Sequence, residues 1–173
     1  MQDKKILVVY FSKADENYNV GEIEVGNTEL LAEEIIKRTG ADEFKIEPKA
    51  PYPKGYQETV DLATEEKASD ARPEYLNEID IEKYDTIFLG YPIWWSDLPM
   101  IVYTFLDNHD FSNKTVIPFN THEGSGNAGT YEDLKVELPE SNVIGDGFNM
   151  TGMSARTEEG IKKLNDWLSS LGF

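Results

Sequence analysis

Three stretches of this sequence carry residue types whose spacing suits the holding of a small ligand. They are Ser12 with Gly26-Asn27-Thr28, the run Tyr91-Pro92-Ile93-Trp94-Trp95, and the run Thr121-His122-Glu123-Gly124-Ser125-Gly126. In the first, small hydroxyl and amide side chains meet the start of a helix, whose first backbone amides have no internal acceptor. A phosphate placed there meets free donors and the positive helix end, so it needs neither Lys nor Arg. Ordinary capping of the helix by Asn27 or Thr28 explains the same residues without any phosphate. The stretch lacks the Gly-Lys-Ser/Thr of a nucleoside triphosphate loop and the glycine spacing of a dinucleotide fingerprint. In the second stretch Gly90 permits close backbone approach, and Pro92 and Pro99 stop regular structure between them. The product is a stiff aromatic loop. It offers flat apolar surface and backbone amides to a planar, partly polar ring, or else serves as a hydrophobic mini-core or partner patch. The third stretch is a loop rich in glycine and hydroxyl groups.

The elements that must position these loops are legible from hydrophobic patterning. Lys5 to Phe11 is a continuous apolar, β-branched run, as in a central parallel strand buried on both faces. Lys13 to Val25 is polar and irregular, after which Gly26-Asn27-Thr28 introduces Leu30, Leu31, Ile35 and Ile36 at helical spacing. Asp42 to Glu47 alternates apolar and polar residues, which predicts a half-exposed lateral strand. The prolines from Pro48 to Pro53 exclude regular structure, and Tyr56 to Ser69 predicts a helix. A third strand runs from Asp85 to Gly90, and a helix begins at Met100. Lys114 to Asn120 forms a fourth strand, in which Pro118 departs from a fully hydrogen-bonded centre. A helix over Thr130 to Val136 follows, then a short fifth strand at Asn142 to Gly145 that Phe148 to Met150 extends. An amphipathic helix over Glu158 to Leu171 closes the chain.

Five strands alternating with five helices predict one domain over residues 1–173: an α/β three-layer sandwich, a parallel sheet between two helical layers, with right-handed crossovers. Such sheets bind ligands beyond the strand carboxyl ends at the topological switch point. The loops opening there follow strands one, three and four, and these are the three stretches described above.

Composition narrows the function further. With 16 basic and 33 acidic residues the net charge is −17. The summed field repels nucleic acid and anionic lipid, and it favours solubility or docking to a basic partner. Cysteine is absent. That removes disulfides, thiolate metal sites and cysteine catalysis, and it fits a reducing compartment. The amino terminus, Met1 to Ile6, leads into an apolar run too short for a signal peptide or membrane span, so a cytoplasmic protein without membrane insertion is expected. His109 reads as a helix-end residue facing the carboxyl-terminal dipole. His122 reads either as a donor or proton shuttle at a ligand, or as an exposed loop residue. Two histidines without cysteine give no metal signal.

Taken together, the three loops resemble the flavodoxin family, especially a flavodoxin-like branch of small bacterial flavoproteins with a Pro-x-Trp-Trp loop. The resemblance covers nearly the whole chain. It implies FMN as cofactor, with the phosphate at Ser12 and Gly26-Asn27-Thr28. Pro92-Ile93-Trp94-Trp95 is then implied to hold the isoalloxazine ring, with Trp95 favoured for packing. Thr121-His122-Glu123-Gly124-Ser125-Gly126 is implied to cap the ring and bind its pyrimidine edge. Two departures stand out. Lys13 to Val25 looks like an insertion between Ser12 and Gly-Asn-Thr, either arching over the phosphate or looping outward. Glu123 replaces a residue that is often glycine, and a carboxylate close to the ring would disfavour an anionic reduced flavin.

The leading expectation is therefore an FMN-binding redox protein that passes electrons to a protein or small acceptor. The surface charge favours an electron carrier meeting a basic reductase, whereas the Trp-Trp loop favours an NAD(P)H:quinone-type oxidoreductase. A receiver-like signalling domain shares the strand order but needs clustered acids, where this chain has Tyr10-Phe11-Ser12 and Gly90-Tyr91-Pro92. A cofactor-free binding module leaves the Ser/Asn/Thr loop unexplained. The oligomeric state is not legible in the sequence.

Overall fold

The computed structural model describes residues 5–173, and Met1 to Lys4, part of the amino-terminal segment weighed above as a leader, lie outside the described residues. The apolar run at the start becomes β1 (Ile6–Tyr10), whose Leu7, Val8, Val9 and Tyr10 are all fully buried. On one side it pairs with β4 (Asp42–Lys45), and on the other with β5 (Thr86–Pro92), both in parallel. β6 (Thr115–His122) then pairs with β5, setting Gly90 opposite Phe119 and Pro92 opposite Thr121. The last position is shared by β7 (Asn142–Val143) and β8 (Phe148–Thr151), each parallel to β6. The order β4-β1-β5-β6-β7, with β8 also on β6, reverses direction of travel at β1, which is the switch point. β4 is the lateral strand that its alternating pattern predicted.

Pro118 sits where the partner changes. β7 pairs with Thr115 and Val116 and β8 with Phe119 to His122, so Pro118 falls in the gap between them. Its carbonyl faces that gap, 2.6 Å from where a Cβ on Gly147 would stand. The missing N–H of proline therefore interrupts no ladder.

Helices cover both faces. α1 (Asn27–Thr39) and α6 (Glu158–Ser170) bury Leu31, Ile35, Leu164 and Leu168 against Val8, Tyr10, Phe88 and Phe119. α3 (Met100–Asn108) and α4 (Thr130–Glu137) bury Ile101, Phe105 and Leu134 against Val9, Ile87 and Leu89 on the other face. Each such fully buried aliphatic side chain contributes roughly 1.5–3 kcal/mol. α2 (Tyr56–Ala68) is bound more loosely, burying only Thr59 and Ala63. A one-turn helix, α5 (Gly152–Ala155), follows β8 and has no counterpart in the sequence reading. Within the sheet Gly90 is required by packing, because any Cβ there would collide with the Phe119 ring. His109 caps α3, its Nδ1 2.8 Å from the Phe105 carbonyl and its ring stacked on Phe105 at 4.1 Å, as a helix-end residue should be.

One expectation is overturned. Lys13 to Val25 is not irregular: Asp15–Asn17 (β2) and Gly21–Ile23 (β3) form an antiparallel hairpin. No alternation of apolar residues announces it, because its register is held by polar contacts to the rest of the fold.

Candidate functional site

A cleft of about 350 Å³ opens beyond the carboxyl ends of β1, β5 and β6, lined by residues from all three loops, the hairpin and α2. Its size and mixed lining fall within the range of small-molecule sites.

One end lies at the start of α1. Gly26 is the N-cap, and its own side chain offers nothing, so the cap comes from elsewhere. Ser12 Oγ accepts from the Glu29 amide at 3.0 Å. The cap expected of Asn27 or Thr28 is thus supplied by Ser12. Only glycine fits at 26, since a Cβ would collide with that Oγ and stand 2.9 Å from the Lys13 carbonyl. The amides of Asn27 and Thr28 precede the first intrahelical bond and stay open for a ligand, and the Ser12 hydroxyl keeps its hydrogen to donate. The Thr28 hydroxyl is buried and meets the Thr121 hydroxyl at 2.8 Å, tying the first loop to the third. It is therefore a brace, and its amide is the part left for an anion.

The other end is aromatic. Trp94 and Asp97 exchange backbone hydrogen bonds at 3.0 and 3.2 Å across Trp95 and Ser96. Both central residues have positive φ, 53° and 59°, the pattern of a type I′ hairpin turn. A tryptophan in this left-handed region stores roughly 1–3 kcal/mol of strain, and such strain concentrates at functional sites. Asp97 holds the turn, accepting from Leu98 N at 2.7 Å and Tyr103 Oη at 2.6 Å. Burial, reinforced by the Asp97 carboxylate, raises the Tyr103 phenol far above its ordinary pKa and keeps it a donor. The two indoles differ. Trp94 packs edge-on against Phe11 and Tyr52 at 5.3 and 5.2 Å, whereas Trp95 is 54% exposed on the cleft. Trp95 is the indole free to stack on a ligand.

The third loop hangs from buried Asn120, whose Nδ2 donates to the Gly126 carbonyl at 3.0 Å and whose Oδ1 accepts from Tyr131 Oη at 2.7 Å. Desolvation pushes the Tyr131 phenol above its ordinary pKa, which preserves that donor. Ile93 N donates to the Thr121 carbonyl at 2.9 Å, which ties the second loop to the third. His122 has two contacts: Nδ1 accepts from Gly124 N at 2.9 Å, which leaves Nε2 to carry the proton toward Asn149 Oδ1 of β8 at 3.1 Å. Glu123 accepts from Asn19 Nδ2 at 3.0 Å and from the Gly152 amide at 3.3 Å, two uncharged donors that fix where its carboxylate sits and leave its charge in place.

The hairpin spans the cleft and does not loop outward. At its base Glu16 accepts from the Tyr56 amide at 2.7 Å, capping α2, and Glu16 N donates to the Lys54 carbonyl at 3.1 Å. At its tip Tyr18 lies 5.9 Å from Tyr56, and Asn19 reaches Glu123. Asn17 braces the turn by donating to the Lys13 carbonyl at 2.8 Å, while the Lys13 amine lies 3.5 Å from Asp15.

Of the residues singled out in the sequence, Asn27, Pro92, Ile93, Trp94, Trp95, Thr121, His122, Glu123 and Ser125 line the cleft. Ser12, Gly26, Thr28, Gly124 and Gly126 are not among the residues that line it, and they shape the backbone of the same loops. Sequence reasoning missed Tyr18 on the hairpin, the Tyr56 face of α2, and Arg156, which grips the first loop from the far end of the chain. No periodicity or motif marked them.

An open, doubly wound α/β sheet with its cleft at the switch point defines the class of protein. Over residues 5–170 the chain matches the family model described as Flavodoxin, and it belongs to that family. It is similar to a protein of Bacteroides eggerthii provisionally described as a flavoprotein, at 30% identity over 99% of both chains with a TM-score of 0.77. A similarly described protein of Bacteroides uniformis is 26% identical, over 95% of this chain and 99% of that one, with a TM-score of 0.75. A flavoprotein of Lactobacillus acidophilus, solved in complex with FMN, shares the fold at 21% identity, over 94% and 99% of the chains and a TM-score of 0.66. None of the curated proteins compared matches the chain.

Proposed function

We propose that the cleft holds FMN and that the protein is an electron carrier of the flavodoxin type. One observation carries this reading: open helix-start amides at one end of a 350 Å³ cleft and an exposed indole at the other, in a chain of this family. The residues fit the two chemically different ends of FMN. The amides of Asn27 and Thr28 and the Ser12 hydroxyl would take the phosphate, where the start of α1 offsets part of the chain's negative field. Trp95 would cover the ring, with Trp94 as the support behind it, and the Thr121 to Gly126 loop would face the polar edge. FMN, when bound, supplies the electron transfer. The protein binds, orients and shields, and Glu123, held on the cleft lining by Asn19 and Gly152, would keep a negative charge near the ring and disfavour an anionic reduced flavin.

The net charge of −17 supports a basic protein as donor or acceptor, steered by complementary fields. Lack of cysteine supports a cytoplasmic site of action, and no helix among the described residues is long and apolar enough to cross a membrane. A second reading, direct reduction of a small quinone-like acceptor, draws on Tyr18 and Tyr56, which add aromatic surface to the cleft rim beside Trp95.

The visible absorption spectrum of the purified protein tests the cofactor: two flavin bands are expected. A colourless protein that leaves the fluorescence of added FMN unquenched would overturn the reading. Slow NAD(P)H-dependent quinone reduction without an added reductase is expected of a carrier, and rapid turnover would favour the second reading.

A further inference from the structure

Arg156 follows α5, 129 positions from Asn27, yet its Nε and Nη2 both donate to Asn27 Oδ1, at 3.2 and 3.0 Å. Nη2 also donates to the Val25 carbonyl at 2.6 Å. A guanidinium has donors only, so it dictates which end of the Asn27 amide faces it. The oxygen is turned toward Arg156, and the NH₂ group is left over. No described group accepts from that Nδ2, although Asn27 is 8% exposed and lines the cleft. Space for the amide in this orientation is kept by Gly152, where a Cβ would collide with Asn27 Nδ2.

We infer that Arg156 is a positioning residue that fixes Asn27 as a donor toward the anionic end of the cleft. The inference rests on the proposal that FMN phosphate lies at the start of α1, and what it adds to that proposal is the role of Arg156. It also explains why the loop carries asparagine beside a cation. Aspartate would form a stronger pair with Arg156 while presenting an oxygen to the anion. Arg156 does not line the cleft, so its effect on ligand passes through Asn27 and through the Val25 carbonyl that sets the path into the helix.

The test is a double-mutant cycle on FMN and riboflavin affinity, read by quenching of flavin fluorescence, with melting of the apo-protein as the control for folding. R156K keeps the charge and removes the fork, so it should weaken FMN about tenfold, leave riboflavin nearly unchanged, and lose its effect in the N27A background. N27D keeps the grip of Arg156 and reverses the group offered to the ligand. It should lose FMN more severely than N27A does while still binding riboflavin, and it reads the same orientation should R156K unfold. An equal loss from R156K with and without Asn27, or equal losses for both flavins, would overturn the inference while leaving the cofactor assignment standing. Failure of the wild-type protein to bind either flavin would overturn both.

Discussion

The two ends of the cleft are built by opposite means. At the start of α1 every side chain is tied down: Ser12 to the Glu29 amide, Thr28 to Thr121, Asn27 to Arg156. The donors are pre-set, as binding a compact anion without reorganisation requires. At the aromatic end the frame is equally firm, through Asp97 and the Trp94 backbone, but it displays one strained and exposed residue, Trp95. One end is rigid because it is satisfied. The other is rigid because a tight turn overrides the preference of its own residue. The contrast matches what each end would hold under the proposed function: a charged tetrahedral group recognised by directed donors, and a flat ring recognised by area.

Five variants at four positions would break or sharpen that contrast. The largest effect is expected from G26A, which drives a Cβ into Ser12 and opens the loop. FMN affinity should fall on the order of a hundredfold, about 2–3 kcal/mol, with riboflavin much less affected. Equal losses for the two ligands, measured by titration, would remove the distinction between the ends. Next, W95A should weaken both flavins alike, by roughly tenfold, since it deletes ring contact common to both. Thermal melting then separates strain from contact, because W95G should be more stable than W95A by about 1 kcal/mol once the positive φ falls on glycine. Were W95A the more stable, the turn would not be storing strain. S12A should lower stability by about 1 kcal/mol as a lost helix cap, and weaken FMN a few-fold more than riboflavin. The smallest effect belongs to N19A at the hairpin tip. Its single exposed bond to Glu123 should change stability by less than about 0.5 kcal/mol. It should speed release of both flavins in stopped-flow dilution, and an unchanged release rate would mean the hairpin does not hold ligand in place.

Much of this was legible in the sequence because the core obeys simple periods. The runs Lys5 to Phe11 and Thr86 to Leu89 could only be buried parallel strands, and the three loops fell at one sheet edge once the strands were ordered. What escaped detection is held by contacts without period. The hairpin strands Asp15-Glu16-Asn17 and Gly21-Glu22-Ile23 show no hydrophobic alternation, and Glu16 and Asn19 secure them to Tyr56 and Glu123 at distant points of the chain. Arg156 lies in a short polar connection, and nothing local distinguishes it from a solvated arginine. Only the fold brings it to Asn27. Thr28 illustrates a subtler case: the motif offers its hydroxyl to a phosphate, whereas the fold ties that hydroxyl to Thr121 and leaves the amide open.

The most direct test of the central claim is a parallel titration of the apo-protein with FMN and riboflavin, followed by quenching of flavin fluorescence at moderate ionic strength. A cleft with a pre-set anion end and an aromatic end binds one FMN per chain, and it binds riboflavin measurably more weakly because only the phosphate is missing. Equal affinity for the two ligands, or no quenching by either, would contradict it.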